Sequence, residues 1–257
     1  MVRKIVLLNP KGGTGKTTIA TNLAAYYASQ GVPTALTDTD PQGSCSRWLV
    51  KRPEANPEIH GIATYKEQTG ITRSFAMRLP EDVERVIVDT PAALPIHKLI
   101  EETRGADKIL VPVLPSEIDI HAATRCIADL LLQAKVHPDD NRLAVVANRV
   151  KPNTLVFKSL MRFLGSLGIP VAAVLRDSQA YIRSAELGIG VHEMQPSRVR
   201  RDLEQWETLI DWVENRKEPS VLDLNSEDLN REELDKEQVD AEVYGVPARD
   251  AQFPQGT

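Results

Sequence analysis

Asn9-Pro10-Lys11-Gly12-Gly13-Thr14-Gly15-Lys16-Thr17-Thr18 is the stretch that decides the fold. An apolar run, Ile5-Val6-Leu7-Leu8, leads into it, and an amphipathic helical pattern over 19–29 leads out. Strand, glycine-rich turn, helix is the context in which Gly-Lys-Thr reads as a phosphate cradle. Gly12, Gly13 and Gly15 leave the backbone N–H groups of the loop, Thr14 included, free to wrap an anion with no Cβ in the way. The helix that opens near Lys16 points its positive end at the same anion. Lys16 can reach the β- and γ-phosphates, and the Thr17 hydroxyl can ligate Mg²⁺. Thr18 lies one residue further into the first turn, near the α-phosphate. ATP and Mg²⁺ are therefore the expected ligands. The general pattern has a glycine where this chain has Pro10, so the turn is not the common form.

Lys11 to Thr18 resembles the deviant Walker A box of the ParA/MinD ATPases, in which a second lysine precedes the glycines. Lys11 matches that lysine. It lies five residues before Lys16, on the far side of the loop, and is poorly placed to serve the same nucleotide. The resemblance implies that Lys11 crosses to the nucleotide of a second subunit, with ATP sandwiched in a homodimer.

The bulk numbers fit. At 257 residues and 42% hydrophobic content, the chain is long and apolar enough for one α/β domain, or a domain plus a tail. Net charge is −5, unevenly spread. Residues 216–257 hold 11 acidic and 5 basic residues, which leaves 26 basic against 25 acidic in the body. A basic patch on the body must therefore be local, while the tail is an acidic appendage. No apolar run is long enough for a membrane span. The first strand begins at once, which leaves no room for a signal peptide. Two distant cysteines, Cys45 and Cys126, suit a reduced, cytoplasmic protein.

Along the chain, a strand over 3–8 reads as buried on both faces. The helix after the loop shows one face of Ile19, Leu23, Tyr26 and Tyr27. A short strand over 34–37 runs into Asp38-Thr39-Asp40-Pro41-Gln42, carboxylates at the ligand edge of an open sheet. This segment resembles the family's Asp-x-Asp-Pro-Gln, which implies that Asp40 orients the attacking water and Asp38 sits near the metal. The competing reading has both carboxylates capping the next helix. Residues 44–82 show no chemistry; Trp48 reads as core or dimer contact, 58–64 as an edge strand and 74–79 as a helical turn. Val86-Ile87-Val88-Asp89 is a Walker B strand, with Asp89 holding Mg²⁺ through a water. Thr90-Pro91-Ala92-Ala93 matches the family's second switch. A helix over 95–104 and a strand over 108–113 follow, in which Pro112 marks the strand's end. By resemblance, the segment around Pro112 lies near the adenine and the dimer face, and Asn148, after the strand over 142–147, hydrogen-bonds the adenine. A helix over 118–135 separates these two strands, and a further helix over 154–167 and strand over 171–175 follow. His97, His121 and His137 have no metal-ligand spacing. Strands alternating with helices over 3–215 give a doubly wound, mostly parallel α/β fold with helices on both faces.

Arg176 and Arg183 flank a helix that ends at Gly188, and Pro196 starts a last helix with apolar residues Leu203, Trp206, Leu209, Ile210 and Val213. Arg198, Arg200 and Arg201 fall in its first turn, where cations oppose the helix dipole. Several ParA proteins hold DNA with arginines in these regions. The resemblance thus implies non-specific phosphate contact through Arg176, Arg183, Arg198, Arg200 and Arg201. Residues 1–215 read as the ATPase domain and 216–257 as a flexible or partner-folded tail.

The whole resembles the small ParA type of partition and positioning proteins, including those that space carboxysomes or chemoreceptor clusters. The expectation is an ATP-dependent dimer that binds nucleoid DNA without sequence preference. A cargo-bound partner protein stimulates hydrolysis and releases it. No arginine finger is evident, so unstimulated hydrolysis is expected to be slow. A MinD-like membrane cycle would need a basic amphipathic C-terminus, which this chain lacks. A metabolic P-loop ligase of the dethiobiotin synthetase type would not need Lys11.

Overall fold

The computed structural model describes residues 2–65, 79–137, 140–151, 154–166 and 168–216, without the side chain of Ser159. The helical turn expected over 74–79 falls almost wholly outside these residues, as does the tail from 217 onward.

Seven strands form one sheet in the order β3-β2-β4-β1-β5-β6-β7. They are β1 (Arg3–Leu7), β2 (Thr34–Asp38), β3 (His60–Ala63), β4 (Arg85–Asp89), β5 (Lys108–Val113), β6 (Leu143–Val150) and β7 (Val171–Arg176). Every pairing is parallel. The described helices are α1 (Lys16–Ser29), α2 (Ser44–Lys51), α3 (Ile96–Thr103), α4 (Glu117–Leu132), α5 (Leu155–Ser166), α6 (Gln179–Leu187) and α7 (Pro196–Val213). A 3₁₀ turn, Val191–Glu193, joins the last two. This is the doubly wound α/β architecture. Ile5, Val6 and Leu7 are consecutive and all fully buried, and neighbours on a strand point to opposite faces, so β1 is covered on both sides. The chain builds outward from β1 to β3, returns to insert β4 beside β1, then builds out on the other side through β5. Ligands bind at such a reversal, beyond the carboxyl ends of the strands, and the glycine loop leaves β1 there.

α1 differs from its sequence pattern. Besides Ile19, Leu23 and Tyr27, it buries Ala20, Ala24, Ala25, Ala28, Thr21 and Asn22. The alanines let other backbone come close. A Cβ on Gly190 would stand 2.5 Å from the Ala25 Cβ, and the Val191 N–H donates to Asn22 Oδ1 at 2.8 Å. The 3₁₀ turn thus lies directly on the helix that follows the phosphate loop. Trp48 and Trp206 belong to the same core as α1, which settles Trp48 as a core residue.

Pro112 does not end its strand. β5 continues to Val113, with Pro112 in register with Val146 of β6. Its missing N–H costs no ladder bond: β1 pairs with β5 only as far as Leu110, and beyond that the chain has turned into the loop. β6 also runs further than expected, to Val150, across a register irregularity around residues 147–150. Asn148 therefore lies within a strand.

Candidate phosphate and metal site

The loop between β1 and α1 is held from three sides. Asn9 Nδ2 donates to the Pro112 carbonyl at 2.7 Å, while Asn9 Oδ1 accepts the Lys11 N–H at 2.8 Å. The Ala93 N–H donates to the Pro10 carbonyl at 2.9 Å, tying the segment after β4 to the loop. Asn148 Nδ2 donates to the Thr14 carbonyl at 2.8 Å. Gly15 has φ 97°, and a Cβ there would stand 2.1 Å from Asn148 Nδ2, so only glycine fits. Asn148 and Pro112, expected near the adenine, are thus bonded to the loop itself. Gly12 and Gly13 are exposed and meet nothing within 4 Å of an added Cβ. Thr18, in the first turn of α1, gives its carbonyl to Asn22 Nδ2 at 2.8 Å.

The two lysines take different partners. Lys16 is buried, and its ammonium donates to the carbonyls of Asn9 at 3.1 Å and Lys11 at 3.2 Å. Burial lowers its pKa, against the pull of nearby Asp89 and Asp40. Carbonyls are weak partners for an ammonium, so a phosphate would displace them readily. Lys11 Nζ instead meets Asp119 Oδ2 of α4 at 2.7 Å. Asp119 is 2% exposed, and Ser116 Oγ also donates to its Oδ2.

Asp89 ends β4 in register with Asp38 at the end of β2. Its Oδ2 accepts from Thr17 Oγ1 at 2.7 Å and from the Cys45 thiol at 3.2 Å. Its Oδ1 is buried and has no hydrogen-bond partner among the described residues. Burial pushes the Asp89 carboxyl up to about 6, partly offset by the Thr17 and Cys45 hydrogen bonds. A buried carboxylate oxygen with no donor, next to a threonine hydroxyl, is a donor set that fits Mg²⁺. Asp38 is satisfied differently. Its Oδ2 accepts the Ser46 N–H at 2.8 Å and the Ser46 hydroxyl at 3.1 Å, which anchors the first turn of α2. Asp40 is half-buried, and its Oδ1 accepts the Gln42 N–H at 2.8 Å in a tight turn.

The arginines separate into two kinds. Arg176 binds Asp202 through two hydrogen bonds, at 2.7 and 2.8 Å, and Asp202 is fully buried. This pairing raises the Arg176 pKa and makes the guanidinium a clamp between β7 and α7. Arg183, Arg198, Arg200 and Arg201 are exposed; Arg200 pairs with Glu204 at 3.1 Å on the surface of α7.

Four contributors were not apparent from the sequence: Asn9, Asp119, Cys45 and Ser46. Asp119 had a local signal, since Ser116-x-x-Asp119 is a helix-start pattern and the Ser116 hydroxyl accepts the Asp119 N–H at 3.2 Å. Nothing local pairs Asp119 with Lys11, 108 residues away.

Comparison with known proteins places this geometry. The model of the CobQ/CobB/MinD/ParA nucleotide binding domain matches residues 5–191. The maintenance of carboxysome distribution protein A of Halothiobacillus neapolitanus is 30% identical over 192 residues, covering 74% of this chain and 87% of that protein. Its counterpart in Gloeobacter kilaueensis is 30% identical over 209 residues, covering 77% and 88%. Among solved structures, a putative plasmid partition protein of Borrelia burgdorferi bound to AMPPNP superposes with a TM-score of 0.64 at 12% identity, covering 84% of this chain and all of that one.

Proposed function

The chain belongs to the CobQ/CobB/MinD/ParA nucleotide-binding family and is a P-loop ATPase; from that premise we propose that it is a positioning ATPase of the ParA type. ATP drives a sandwich dimer, the dimer holds nucleoid DNA non-specifically, and a cargo-bound partner protein stimulates hydrolysis and resets the cycle. What carries this reading is the likeness to two carboxysome distribution proteins along most of their length. Lys11 supports the dimer, because Lys16 already serves the phosphates of its own subunit and the half-exposed Lys11 can leave Asp119.

The placements support a role for each residue in this cycle. The Gly12–Gly15 backbone and Lys16 bind the phosphates, and Lys16 leaves the Asn9 and Lys11 carbonyls to do so. Lys11 exchanges Asp119 for the partner subunit's nucleotide. Thr17 and Asp89 hold Mg²⁺, with Asp38 acting through the α2 turn it anchors. Once bound, Mg²⁺ would neutralise charge on the phosphate oxygens. Asp40 orients the attacking water from the half-buried loop after β2. Arg183, Arg198, Arg200 and Arg201 neutralise DNA phosphates. Residues 1–215 make up the ATPase domain. No described helix is long and apolar enough to cross a membrane, and the tether proposed is DNA.

Light scattering on Asp40→Ala, which should bind but not hydrolyse ATP, tests the cycle's first step. The expected result is twice the monomer mass with ATP and the monomer mass with ADP. A monomer in both would overturn the sandwich.

A further inference from the structure

Cys45 is fully buried in the first turn of α2, and its Sγ lies 3.2 Å from Asp89 Oδ2. A buried free cysteine ordinarily serves as a small apolar side chain. This one faces a carboxylate oxygen. The terminal torsion of an aspartate is broad, so donors decide which way its oxygens point. Asp89 Oδ2 has two, the Thr17 hydroxyl from the phosphate loop and the Cys45 thiol from α2. Oδ1 has none among the described residues and stays buried. The next residue, Ser46, anchors Asp38 through its N–H and hydroxyl. One helical turn therefore addresses both of the carboxylates that end β2 and β4.

We propose that Cys45 is a positioning residue for the metal site: its S–H holds Asp89 Oδ2 and so presents Oδ1 to the cation. Without the thiol, the described side-chain donor left to Oδ2 is Thr17 Oγ1, the group that is itself to ligate the metal. The thiol supplies a tether that makes no demand on the cation. It is a weak donor, so its contribution is modest. The inference rests on the reading of Asp89 as a metal-holding carboxylate.

The test is Mn²⁺ binding to the ADP complex, followed by electron paramagnetic resonance, for wild type, Cys45→Ala, Cys45→Ser and Asp89→Ala. Loss of a group that orients a ligand costs about 10- to 100-fold in metal affinity, and a thiol belongs at the low end, roughly tenfold for Cys45→Ala. Cys45→Ser should restore the affinity, and ADP affinity without metal should not change. Wild-type Mn²⁺ affinity in Cys45→Ala, with Asp89→Ala impaired, would overturn the role of Cys45 and leave that of Asp89. Unimpaired binding by Asp89→Ala would remove the metal reading itself, and the inference with it. Infrared spectroscopy on Cys126→Ala, which keeps Cys45 intact, gives a second reading. The S–H stretch should lie below that of a free thiol, and a free-thiol frequency would overturn the hydrogen bond.

Discussion

Lys11 Nζ sits 2.7 Å from Asp119 Oδ2, an ion pair that joins the phosphate loop to α4 within one subunit. The lysine side chain is 38% exposed and the aspartate 3%, so one end is free to leave and the other is not. The lysine proposed to reach a second subunit is, in this structure, engaged by its own.

Weakening that hold should favour the dimer. A hydrogen bond to a charged group is worth about 1.5–3 kcal/mol, so Asp119→Asn should lower the protein concentration at which ATP produces dimers by roughly tenfold or more. Sedimentation with ATP over a concentration series checks this. An unchanged midpoint would mean that the Asp119 contact does not compete with dimerisation.

Gly15 carries a second prediction. Alanine there meets the left-handed φ, a penalty of about 1–2 kcal/mol, and a Cβ 2.1 Å from Asn148 Nδ2. Gly15→Ala should lose at least about fivefold in ADP affinity by calorimetry, the low end of the backbone strain alone amounting to that much. Affinity like that of wild type would show that the loop re-forms around the methyl group.

The arginines should separate by assay. Alanine at Arg198 or Arg201 should weaken DNA binding, with little change in melting temperature. The slope of log affinity against log salt should become shallower by about 0.9 for each DNA phosphate that the variant no longer neutralises. Arg176→Ala leaves fully buried Asp202 without its guanidinium partner. It should destabilise the fold by about 1–3 kcal/mol, seen as an earlier urea midpoint. A normal midpoint with impaired DNA binding would make Arg176 a DNA-binding residue after all.

His192 gives the pH dependence. Its ring packs against Tyr26 at 4.8 Å and Trp206 at 5.4 Å, and its Nδ1 is buried without a partner among the described residues. Burial lowers its pKa to about 4, with neighbouring Glu193 opposing. The imidazole is neutral in both folded and unfolded states above 6.5. As pH falls from 6.5 toward 4 the unfolded chain takes up a proton that the folded chain refuses, so stability is lost in that window and levels off below it. Relative to His192→Phe, wild type should lose about 3 kcal/mol between pH 7 and pH 4. Parallel denaturation curves for the two proteins would contradict this.

Where function follows from local sequence, the chain was readable. The glycines after an apolar strand fixed the loop, and Val86-Ile87-Val88 ending in Asp89 fixed the strand whose buried carboxylate faces the loop's Thr17. What escaped depends on partners distant in sequence. Pro112 reads as a strand end until one sees that β1 has already left the ladder beside it. Asn148 reads as lying just after its strand, because nothing local reveals that β6 extends past it. α1 shows a one-sided stripe in sequence, yet its alanines are buried too, since the helix packs against β2 and β4, against α2 and against the 3₁₀ turn at 191–193. Arg176 reads as a free cation until Asp202, 26 residues on, closes on it.

Binding to random-sequence duplex DNA with ATP, with ADP and without nucleotide, at several stated salt concentrations, tests the central claim most directly. Binding is expected with ATP alone, falling steeply as salt rises. Absence of binding in all three states, by protein shown to bind ATP, would contradict it.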